Sequence, residues 1–192
     1  MFDHSGNGVA LNCPTSPGIS IDSPGLFRYS KKKHLTTGNV YVNLYNTQWG
    51  TNFTEWIEGS FSSKMYIWSY STYDSESSFI TPSEETRVPL KGVFYEGPAG
   101  ASPTDSKGLS LSRKGILLTA YKDEGSGRLL RLWEQAGQSG LCEVTLLEGS
   151  VYKKAYPCDL RNNITDERGI KIQNNSFHFD IKANQPASFI LK

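Results

Sequence analysis

Cysteine and histidine are scarce, three of each in 192 residues. Cys13, Cys142 and Cys158 are too few and too scattered for a disulfide scaffold. Two outcomes stay open: Cys142 pairs with Cys158 across neighbouring strands and leaves Cys13 free, or all three are free thiols, the favoured expectation. His4, His34 and His178 stand far apart, with no His-x-x-x-His or Cys-x-x-Cys spacing. No zinc site is therefore expected from this chain alone. No apolar run approaches the roughly 20 residues that span a bilayer, so no membrane partner is expected. Net charge is also small, +1 from 20 basic and 19 acidic residues. That near-balance argues against nucleic acid as a partner. The start, Met1 to Gly8, has an acid where a signal peptide has a basic region, and no hydrophobic segment follows. Since Phe2-Asp3-His4 has no lead-in, Met1 is expected to be an internal start, and the compartment stays open. Sequons at Asn52, Asn163 and Asn174 arise readily by chance and point to no compartment.

Helical periodicity is equally sparse. Val9–Leu11, Ile19–Ile21, Leu26–Tyr29 and Val40–Leu44 read as short strands separated by Pro- and Gly-rich turns. Lys31–Lys33 reads as a solvated edge or loop. Phe61 to Ile67 alternates again, and Thr86–Phe94 resumes strand character, with Pro89 marking an edge or bulge. Between them the serine-rich Tyr70–Ser78 reads as a mobile loop. Further on, strands are expected over Leu109–Leu111, Gly115–Tyr121, Arg128–Glu134, Cys142–Leu147, Val151–Leu160, Gly169–Gln173, Ser176–Lys182 and Ala187–Leu191. In Arg128–Glu134, Leu130 and Leu132 share one face, and Leu129, Arg131 and Trp133 the other. Phe177, Phe179 and Ile181 likewise oppose His178, Asp180 and Lys182. Short strands with turns at this spacing predict an all-β chain of antiparallel β-sandwiches. The Gly- and Pro-rich stretch 97–105 reads as a linker, dividing 1–96 from 106–192.

One stretch resists that plain reading. Between the strands at Val40 and Phe61 lies Asn46 to Gly59, which holds Trp49, Phe53 and Trp56 among Asn46, Gln48, Asn52, Glu55 and Glu58. Turns are ordinarily built from Gly, Pro, Asn, Asp and Ser. A loop carrying two tryptophans either fills a sheet corner or offers flat rings and amide donors to a ligand or partner. Asn46, Trp49, Asn52, Trp56 and Glu58 are the candidate substrate-binding or interface residues. No catalytic and no metal-binding residue is expected.

Asn43-Leu44-Tyr45-Asn46, Trp49-Gly50-Thr51-Asn52-Phe53, Trp56 and Glu58-Gly59-Ser60-Phe61 resemble the C-terminal region of glycoside hydrolase family 38, the α-mannosidases and their bacterial relatives. Gly127 to Glu134, Gly137, Gly140 and the closing Pro186–Leu191 resemble that family's terminal β-sandwich. The resemblance implies a supersandwich-like part followed by a compact terminal sandwich. It implies that hydrolysis belongs to a separate N-terminal α/β module, with an aspartate nucleophile, an acid/base carboxylate and a zinc ion. Retaining chemistry needs two carboxyl groups about 5 Å apart, and none of the family's catalytic or zinc-binding residues maps onto this chain. The expected partner is the catalytic module of the same polypeptide, with mannose-containing glycans a second candidate. A free-standing carbohydrate-binding or protein-interaction module is the alternative.

Overall fold

The computed structural model describes residues 6–25, 35–45, 52, 56–98, 100, 105–125 and 127–192. The fold is all-β and sandwich-like, with antiparallel sheets and a short helical segment. Packing divides the chain into two compact units, Met1–Tyr73 and Asp74–Lys192. The expected linker at 97–105 lies inside the second unit, and residues 99 and 101–104 are outside the described residues.

In the first unit, β1 (Gly8–Asn12) pairs with β4 (Tyr66–Tyr70), and β2 (Gly18–Ile21) with β3 (Val40–Asn43). Each sheet has two strands. The expected strand from Phe61 begins only at Tyr66, because Ser63 and Lys64 are engaged by the β1–β2 turn. There the Lys64 amide donates to Thr15 Oγ1 at 2.9 Å, and the Ser63 and Ser16 hydroxyls share a 2.6 Å hydrogen bond. At the other end of β2, Asp22 takes a positive φ of 81°. Its carboxylate accepts from the amides of Thr36 and Thr37 and the Thr36 hydroxyl, fixing where β3 approaches. Leu26–Tyr29 and Lys31–Lys33 fall outside the described residues.

The second unit opens with a helical segment where a serine-rich loop and then a strand were expected. Ser75–Ile80 is a π-helical turn, and α1 (Thr81–Arg87) continues it. Asp74 explains the start: its carboxylate accepts from the amides of Glu76 and Ser77, the bonds an N-terminal turn otherwise leaves unmade. Pro82 in the first turn and the Glu84–Arg87 ion pair support α1. No strand forms over Val88–Phe94, whose side chains are exposed.

Two sheets complete the unit. The larger has the order β10 (Ile170–Lys171), β9 (Lys154–Pro157), β12 (Pro186–Leu191), β7 (Gly127–Glu134), β6 (Ile116–Glu124). The smaller has the order β11 (Ser176–Ile181), β8 (Gly140–Thr145), β5 (Ser110–Leu111). Leu130, Leu132, Phe189 and Leu191 meet Cys142, Val144, Phe177, Phe179 and Ile181 in one core. Phe189 packs edge-on against both Phe177 and Phe179, at 5.1 and 4.8 Å between ring centroids. Gly127 permits the β7–β12 approach: a Cβ there would sit 2.5 Å from the Leu191 carbonyl oxygen.

The facing expected for β7 holds for Leu130 and Leu132, both at 0% exposure, and for Trp133, at 45%. Leu129 lies on the outer face with Arg131 and Trp133, as expected, and is buried there. The chain after β9 folds back over that face, and Arg131 ties it down through the Leu160 carbonyl and the Asn162 side chain. All three cysteines are free thiols: Cys142 is buried in the smaller sheet, and Cys158 follows β9 of the larger one.

Candidate functional site

β3 delivers the chain to the tryptophan-bearing loop, so the first unit holds the candidate site. Of the expected residues, Asn46 and Trp49 lie outside the described residues. Asn52, Trp56 and Glu58 are exposed, and Trp56 stands 74% in solvent with Ile57 beside it in sequence at 64%.

The same unit carries an apolar surface that its alternation pattern alone did not single out. An open cleft of about 710 Å³ runs along β2 and β3, lined by Ile19, Val40, Val42, Leu44, Tyr45 and Met65. The ring of Tyr45, which lines the cleft, lies 6.4 Å from that of Phe61, tilted by 31°. Val40, Val42 and Leu44 read as a core-facing strand, yet Val40 and Leu44 are exposed here. A two-stranded sheet has one layer, and nothing among the described residues of its own unit seals that face. Chemically the cleft offers contact area, aromatic rings and a few polar groups such as Asn43, and no titratable acid or base other than the tyrosine hydroxyls.

Asp22, Asp74, Asp159 and Asp166 are held below the usual carboxylate range, chiefly by the Thr36 hydroxyl, the Ser77 hydroxyl, the Asn163 side chain and the Arg168 guanidinium respectively. Burial pushes the Glu134 carboxyl up, but four backbone amides outweigh it and the net direction is down. A general acid for glycoside hydrolysis needs a carboxyl shifted upward. None of the described carboxyl groups with a resolved shift moves that way. Among the described residues, no three His, Cys, Asp or Glu side chains converge to hold a metal ion. No described helix is long and apolar enough to cross a membrane.

No protein-family model, no curated protein and no solved structure matches the chain.

Proposed function

We propose that the chain is a non-catalytic C-terminal β region of an α-mannosidase-like glycoside hydrolase, resembling those of family 38. In this reading the first unit packs against the catalytic module or the rim of its sugar pocket, and the second unit is a compact terminal sandwich. The observation that carries it is the contrast between the units. The second closes a core between two sheets, whereas each sheet described in the first has two strands and leaves Val40, Leu44, Tyr45, Phe61 and Ile67 in water. Two-stranded sheets are marginal by themselves, and contiguous exposed apolar surface marks an interaction site. Covering strands supplied by the rest of a longer polypeptide would meet both needs.

The purified chain is expected not to hydrolyse a chromogenic α-mannoside, with or without added zinc. Zinc-dependent turnover abolished by a chelator overturns the reading. A family α/β module truncated ahead of its own β region, produced together with this chain, is expected to co-purify with it. Failure to associate also counts against the proposal.

Exposure of Trp56 favours a second reading, a free-standing carbohydrate-binding module that stacks this ring on sugar. Calorimetry of the isolated chain with mannose-containing glycans separates the two. Binding lost in Trp56→Ala selects the second reading.

A further inference from the structure

The outer face of the five-stranded sheet carries an arrangement in which a guanidinium is held ready beside an open ring. Arg87, Arg113, Arg128 and Arg168 each pair with a carboxylate: Glu84, Glu76, Asp123 and Asp166. Arg131 differs. Its Nε donates to Ser188 Oγ at 2.9 Å, and one Nη donates to the Leu160 carbonyl at 3.2 Å and Asn162 Oδ1 at 2.8 Å. All three acceptors are neutral. Its Nη1 has no hydrogen-bond partner among the described residues, and the atom is not buried. Asp159, the acid on the loop that Arg131 secures, is already engaged by the Arg161 amide and by the amide and side chain of Asn163.

Trp133 lies two residues on, so it shares the face of Arg131 at about 7 Å along the strand. Its neighbours in register are Pro186 on β12 and Leu117 on β6, so an apolar residue stands on either side of it. At 45% exposure the indole keeps a large part of its surface open.

We propose that this face binds an acidic sugar residue, its ring stacked on Trp133 and its carboxylate paired with Arg131. The apolar C–H face of a pyranose suits the electron-rich face of an indole. A guanidinium fixed by neutral acceptors has no ion-paired carboxylate among the described residues, and a ligand carboxylate supplies one with charge-assisted hydrogen bonds. Holding the donor in place beforehand removes part of the ordering cost of binding. The site is on the second unit and does not depend on the reading given above for the first.

The test uses the whole chain with tetragalacturonate as the acidic probe and mannotetraose as the neutral one, by calorimetry and by amide and indole N–H chemical shifts. The indole resonance that disappears in Trp133→Ala identifies the ring. Expected is saturable binding of tetragalacturonate that shifts this resonance and weakens with added salt. It should also weaken about tenfold or more in Trp133→Ala and Arg131→Lys. Mannotetraose should bind about tenfold more weakly than the acidic probe. The proposal fails if tetragalacturonate does not bind, if it binds without moving the Trp133 resonance, or if Trp133→Ala leaves affinity unchanged. Equal affinity for the two probes overturns the role of Arg131. Capture of a protein over this face in place of sugar overturns the whole assignment. Trp133→Ala removes a half-exposed side chain, so its fold is checked by an unchanged amide spectrum away from β6, β7 and β12.

Discussion

Glu134, the last residue of β7, accepts a hydrogen bond from the backbone amide of Asn184 at 2.7 Å. The two lie 50 positions apart, at the ends of different hairpins. The same carboxylate accepts from the amides of Ala136, Gly137 and Gln138 at 2.9–3.1 Å, so one buried side chain closes the β7–β8 turn and joins it to the β11–β12 turn. A buried charge is tolerated because its oxygens are satisfied by donors that those turns leave unpaired.

Glu134→Gln is expected to destabilise the second unit by about 1–3 kcal/mol, since an amide nitrogen would then face backbone donors. The pH dependence follows from the lowered pKa. Stabilisation is complete above the unfolded value of about 4.3 and is lost as pH falls through the lower folded value. Thermal melts from neutral to strongly acid pH should fall more steeply for the wild type than for Glu134→Gln. Parallel curves would show that this carboxylate does not couple to folding.

Leu130→Ala and Leu132→Ala should each cost about 2–5 kcal/mol, because both side chains are fully enclosed between the sheets. Leu129→Ala should cost a comparable amount despite lying on the opposite face, whereas Trp133→Ala costs less. Denaturant titration of the four variants checks the ranking. A Trp133 loss equal to the leucine losses would mean that the outer face is sealed there as well.

Alternation carried the second unit well: Phe177, Phe179 and Ile181 are buried while His178 and Asp180 are exposed. Hairpin ends were less legible, since β6 runs on to Glu124 and β9 is only Lys154–Pro157. Leu129 lies on the face that alternation assigns it, but its burial there was not legible, because period-2 reasoning sees one strand at a time. The helical segment was hidden by serine content, although Asp74 ahead of Ser77 and Thr81-Pro82 ahead of Glu84 are N-terminal signals. In the first unit the strands were visible and the apolar cleft was not. The pattern that marks a buried face is the same whether or not the covering layer is present.

Glu76→Ala should release the helical segment from the second unit. Arg113 pairs with Glu76 and donates to the Gln138 carbonyl, while Thr81 Oγ1 accepts from the Gly115 amide and Ser75 donates to the Ala136 carbonyl. Removing the carboxylate strands a guanidinium whose Nη1 is already buried without a partner. The expected cost is about 1–3 kcal/mol, with faster amide exchange confined to 75–87. Exchange that rises across β6–β8 instead would make this contact part of the sandwich's global stability.

Trp56 gives the sharpest separation between folding and association. Its ring is 74% exposed, so Trp56→Ala should change the stability of the isolated chain by no more than about 0.5 kcal/mol. If the first unit packs against a catalytic module, the same substitution should weaken that association by about 2 kcal/mol or more, as buried aromatic anchors do. Glu58→Ala, at an exposed position close by in sequence, should weaken it less. The comparison needs two measurements on each variant: a denaturant midpoint for the chain alone, and retention of the chain by an immobilised α/β module. Loss of stability in Trp56→Ala would place the ring in the chain's own scaffold. Unchanged stability with unchanged retention would remove it from the interface.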